Sequence, residues 1–114
     1  SLSSAIQSGD ANQIAGVYDW AGMSTANGYR LFARLEAIAK RPLVDVQPMY
    51  AGGTNEYGYD VVEFDEATGE VVSKPPRKPH LVGLRVEQTL ANGSTPARTV
   101  FGLRKNLGCW WVRL

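Results

Sequence analysis

The hydrophobic period changes once along this chain, at Pro42, and that single change limits what the chain can fold into. Ahead of it, Ile14, Val17 and Tyr18 recur at three and four residue spacing. Leu31, Leu35 and Ile38, broadened by Phe32 and Ala39, do the same, the pattern of helices with one apolar stripe. Beyond it, Val82, Leu84, Val86 and Leu90 alternate with Arg85, Glu87 and Thr89, the period-two pattern of a half-buried strand. Helices first and strands afterwards predict an α+β fold in which N-terminal helices pack on a curved antiparallel sheet.

Local punctuation places the elements. A weakly helical stretch, Leu2 to Gln7, stops at Ser8, Gly9 and Asp10, and Asp10 caps a second helix expected to run to about Asp19. Gly22 interrupts the pattern, Ser24 or Thr25 caps a third and longer helix, and Pro42 ends it because proline disfavours helical geometry in the residue before it. Leu43, Val44 and Val46 read as the first strand, with Pro48 confining its far end to an edge or a bulge. Tyr57 to Phe64 and Glu70 to Val72 read as a hairpin that carries an acidic cluster, and Pro75, Pro76 and Pro79 enclose a stiff connector. Val82 to Leu90, Thr99 to Lys105 and Cys109 to Leu114 then meander, joined by turns at Asn92-Gly93 and Asn106-Leu107-Gly108. With 114 residues and 44% apolar side chains, one domain spanning 1–114 is expected.

The charge balance argues against several partners. Twelve basic and eleven acidic side chains leave a net charge of +1, which gives no global field to draw in nucleic acid. Glu56, Asp60, Glu63, Asp65, Glu66 and Glu70 cluster ahead of Lys74, Arg77 and Lys78, and the favoured reading is a solvated hairpin and its connector. No run approaches the ~18 apolar residues of a spanning helix, so no direct membrane insertion is expected. One cysteine, Cys109, excludes an internal disulfide framework and a multi-cysteine zinc site.

Two motifs carry a family resemblance. Residues 8–19, Ser8-Gly9-Asp10-Ala11-Asn12-Gln13-Ile14-Ala15-Gly16-Val17-Tyr18-Asp19, resemble the "GD, small and apolar, YD" opening of the nuclear transport factor 2-like (NTF2-like, cystatin-like) superfamily. Gly108-Cys109-Trp110-Trp111-Val112 is similar to its closing "G-x-W-x-V" strand. The resemblance implies a cone-shaped α+β fold whose open end holds a small molecule. It also implies a homodimer through a sheet face, to which Phe101, Leu103 and Trp111 are assigned together with Thr99. Fold transfers more safely than function, and members range from isomerases, cyclases and dehydratases to transport adaptors and secretion components.

Chemistry is sparse. An isomerase-like site needs a carboxylate base and an oxyanion hole in an apolar cone, and the available types are Tyr18, Asp19 and Asp45. The lone His80 follows Lys78 and Pro79 in a connector, and a lone cysteine flanked by Trp is read as buried and inert. No zinc, EF-hand or phosphate-loop spacing occurs, and no metal or cofactor is expected. Pro76-Arg77-Lys78-Pro79 fits a PxxP pattern, and Asn92-Gly93-Ser94 fits an N-glycosylation rule but reads first as a hairpin turn. The aromatic residues are the best pocket material: Tyr18, Trp20, Tyr29 and Tyr50, with Tyr57 and Tyr59, are candidates to rim a ligand site. The expectation is therefore a noncatalytic NTF2-like domain that binds a partner protein or a small apolar ligand, in a bacterial exported or envelope protein. The alternative is an isomerase, cyclase or dehydratase.

Overall fold

The computed structural model describes residues 1–52, 61–74 and 78–114. Among these residues three helices, α1 (Leu2–Ser8), α2 (Ala11–Ala15) and α3 (Thr25–Lys40), precede six strands: β1 (Leu43–Ala51), β2 (Val61–Phe64), β3 (Val71–Lys74), β4 (His80–Thr89), β5 (Pro96–Asn106) and β6 (Cys109–Arg113). The class is α+β. Chain contacts divide it into two compact units, residues Ser1–Met49 with Val82–Leu114, and the inserted segment Tyr50–Leu81.

In the larger unit each helix starts and stops on a local signal. Ser1, Asp10 and Ser24 accept hydrogen bonds from Ser4, Asn12 and Asn27 backbone N–H groups, satisfying donors a helix cannot satisfy internally. Gly9, at φ 68°, ends α1 in the left-handed conformation that costs glycine little. At the far end of α3 the buried Gln88 side chain donates to the Ile38 and Arg41 carbonyls, at 2.9 and 3.2 Å, tying the helix to β4 just before Pro42 turns the chain.

The sheet order is β1-β4-β5-β6, and β4, β5 and β6 form the expected antiparallel meander. Its register pairs Leu84 with Phe101, Val86 with Thr99 and Leu103 with Val112, which sets these residues on one face. Leu2, Ala5, Ile6, Ile14, Leu35, Ile38 and Ala39 from the helices join Val86, Phe101 and Val112 in a single buried cluster. The opposite face carries Arg85 and Glu87 of β4, Arg98, Val100 and Arg104 of β5, and Trp111 and Arg113 of β6. Glu87 bridges Arg85 and Arg98 at 3.1 and 2.7 Å.

Gly83 and Gly102 are paired across β4 and β5, yet only one of them requires glycine. A Cβ on Gly83 would lie 2.7 Å from the Phe101 carbonyl oxygen, whereas one on Gly102 would sit 3.6 Å from the Arg113 carbonyl. Gly83→Ala is therefore expected to cost about 1–3 kcal/mol through forced backbone displacement, against less than about 1 kcal/mol for Gly102→Ala. Chemical denaturation of the two variants checks the difference.

The inserted unit holds the hairpin β2–β3, with Phe64 opposite Val71 and Val62 opposite Ser73. Its turn closes through Asp65 N–H to the Glu70 carbonyl at 2.8 Å and Gly69 N–H to the Asp65 carbonyl at 2.7 Å. Val62, Phe64, Val71 and the acidic Glu63, Asp65, Glu66 and Glu70 are all exposed. Tyr57, Tyr59, Glu56, Asp60 and most of the proline connector lie outside the described residues.

α2 is shorter than its spacing suggests. Ile14, Val17 and Tyr18 fit a helical stripe, but the helix stops at Ala15, and Val112 exchanges hydrogen bonds with the chain at Val17 and Asp19 (2.9 and 2.8 Å). Tyr18 thereby forms a parallel bridge with Val112. The edge of β6 supplies backbone partners that continued helix would have found within itself.

Candidate functional site

That captured segment builds one wall of a groove. Tyr18 is buried, and its hydroxyl accepts from the Leu114 N–H at 2.9 Å. Trp20, two residues on, leans against it with ring centroids 5.0 Å apart and planes tilted by 51°, and donates its indole N–H to the Ala15 carbonyl at 2.9 Å. The satisfied indole leaves an apolar ring edge toward solvent. Asp19 accepts from Ala21 N–H at 3.1 Å, and Met23 N–H bonds the Trp20 carbonyl at 3.2 Å, so the turn into α3 is fixed.

The facing wall is the first two turns of α3. Thr25, Gly28, Tyr29 and Phe32 stand at i, i+3, i+4 and i+7, which places them on one stripe. With Trp20, Met23 and Ser24 they line a groove of about 370 Å³. Tyr29 is 76% exposed, and a Cβ on Gly28 would meet nothing within 4 Å. Among the described residues no charged side chain lines it. A second hollow of about 350 Å³, on which Phe32 also borders, is lined by Asp10, Asn12, Glu36 and Lys40 and lacks a comparable apolar wall.

Of the six aromatic residues expected to rim a ligand site, Trp20 and Tyr29 come together in this groove, and Tyr57 and Tyr59 lie outside the described residues. Tyr18 does not reach its surface; it supports Trp20 from beneath. Tyr50 is 60% exposed at the end of β1 in the inserted unit and is not among the lining residues. Met23, Gly28 and Phe32 were not singled out as site residues, although the i, i+3, i+4, i+7 spacing that joins them to Tyr29 is legible in the sequence.

The proposed interface trio does not share a face. Phe101 is fully buried against the helices and Leu103 points the same way, whereas Trp111 pairs with Arg104 on the opposite face. Phe101 is thus core. Cys109 is exposed at the start of β6 rather than buried.

The residue types held in reserve for catalysis each do a separate structural task. The Tyr18 hydroxyl anchors Leu114, Asp19 closes the turn and lies 4.0 Å from Arg104, and Asp45 bonds the Val46 N–H and the Gln47 amide at 2.9 and 3.0 Å. His80 is exposed at the start of β4. Among the described residues no three His, Cys, Asp or Glu side chains gather as a metal site. Asn92 is engaged in its turn, accepting from Ser94 and Thr95 N–H groups at 3.0 and 2.9 Å. No protein-family model, curated protein or solved structure matches the chain.

Proposed function

We propose that this chain is a noncatalytic NTF2-like domain that takes an apolar, ring-bearing group, from a small ligand or a partner protein, into the groove between Trp20 and Tyr29. The observation that carries the reading is an aromatic-walled groove of about 370 Å³ without a charged group among the described residues. Such a lining recognises apolar surface; among the described residues its polar side chains are the hydroxyls of Ser24, Thr25 and Tyr29, and it holds no carboxylate, imidazole or thiol. The family reading is supported by the meeting of its two motifs, because Tyr18 and Asp19 lie against Val112. A cone-like curvature of the sheet belongs to the same proposal.

Gly28→Leu tests the groove with little risk to the fold. A Cβ there meets nothing within 4 Å, and leucine is favoured over glycine inside a helix by roughly 0.5–1 kcal/mol. Titration with the apolar fluorescent probe anilinonaphthalene sulfonate is expected to show binding to the parent chain and several-fold weaker binding to the variant, with an equal or higher denaturation midpoint. Probe binding unchanged by Gly28→Leu overturns the assignment of this groove.

A further inference from the structure

The turn between β5 and β6 joins Asn106 to Cys109 through two residues, Leu107 at φ 51° and Gly108 at φ 78°. Both central positions of such a turn are left-handed, and Asn-Gly is the pair that suits them. Here a leucine occupies the first, in a conformation that a side chain branched in this way adopts at a cost. It gains no packing in return, being 95% exposed. Strain held at an exposed apolar tip points to a use outside the folded chain.

The surroundings of the tip narrow that use. Trp110 is 57% exposed and pairs across the strands with Lys105, whose ammonium lies 5.8 Å from the ring centroid. From Pro96 to Leu114 the chain carries Arg98, Arg104, Lys105 and Arg113 and no carboxylate side chain, although the whole molecule has a net charge of only +1. Glu87 engages Arg98, and Asp19 approaches Arg104 no closer than 4.0 Å. Two apolar side chains on a convex turn fall well short of the roughly 800 Å² per partner that a stable protein interface buries. A lipid surface needs no matching shape: leucine and tryptophan enter the boundary between headgroups and acyl chains, and flanking cations meet lipid phosphates.

We propose that the β5–β6 turn is a peripheral contact point for an anionic lipid surface, with Leu107 and Trp110 inserted and Arg104 and Lys105 on the headgroups. This requires no spanning segment, and no helix among the described residues is long and apolar enough to cross a membrane. It uses none of the groove residues and stands apart from the groove's assignment.

Cosedimentation with phosphatidylcholine vesicles, with and without about 30% phosphatidylserine, tests it. Binding is expected only to the anionic vesicles, with a blue shift in tryptophan emission, and is expected to fall as salt rises from about 0.05 to about 0.5 M. Leu107→Asn is expected to weaken binding about tenfold by removing the inserted side chain. The same variant relieves the turn, so its thermal midpoint is expected to rise and unfolding cannot explain the loss. Equal binding to neutral vesicles, full binding by Leu107→Asn, or no binding at about 1 mM anionic lipid overturns the proposal. So does a Leu107 dependence confined to self-association in sedimentation velocity.

Discussion

Phe101→Ala is expected to lower the stability of the chain by about 3–5 kcal/mol, the range found when a fully buried aromatic side chain is truncated. Phe101 has no exposed surface and is the largest of the fully buried side chains, set among Ile14, Leu35, Ile38 and Val86. Because small domains are stable by about 5–15 kcal/mol in total, this one change removes a large fraction of the margin. Urea denaturation checks it through a lower midpoint at unchanged slope. Phe64→Ala is the matched control: Phe64 is 63% exposed in the β2–β3 hairpin, and its truncation is expected to move stability by no more than about 0.5 kcal/mol. Similar losses at the two positions would mean that the helices do not pack on the Phe101 face.

The same two phenylalanines show how far the sequence could be read. Both stand in alternating strands, and alternation states which neighbours share a face without stating which face is covered. Leu35 and Ile38 were legible as core because a long helix with one apolar stripe has one way to hide it. Gln88 was not, since a glutamine among alternating apolar residues shows its purpose only once the open carbonyls of Ile38 and Arg41 are seen beside it. The end of α2 was hidden for a related reason. Val17 and Tyr18 fit helical spacing, and only a distant strand edge, at Val112, favours the extended alternative.

Register explains why Phe101, Leu103 and Trp111 do not share a face. The tight return at Asn106-Leu107-Gly108 was recognised, and two residues between the paired Asn106 and Cys109 oblige Arg104 to face Trp111 and Leu103 to face Val112. Counting from that turn places Trp111 with the even-numbered residues of β5 and Phe101 with the odd. In the sequence Trp20 and Tyr29 stand out only as aromatic residues, one just after the second helix and the other at the start of the third. Their convergence depends on how Gly22 and the cap at Ser24 fold the connecting turn, which spacing alone does not encode.

Trp20→Ala and Tyr29→Ala are expected to separate stability from binding within one groove. Trp20 is half-buried, packs against Tyr18 and donates to Ala15, so its truncation is expected to cost about 2–3 kcal/mol, less than a fully enclosed aromatic. Tyr29 is 76% exposed, and Tyr29→Ala is expected to leave stability within about 0.5 kcal/mol of the parent. Each aromatic wall contributes about 1 kcal/mol or more of contact with a ring-bearing ligand, so each variant is expected to weaken probe binding by about fivefold or more. Thermal unfolding and probe titration of the same preparations read both quantities. A Tyr29→Ala variant that binds the probe as the parent does would remove Tyr29 from the site and leave Trp20 as a packing residue, because only the exposed wall reports on the ligand without also reporting on the fold.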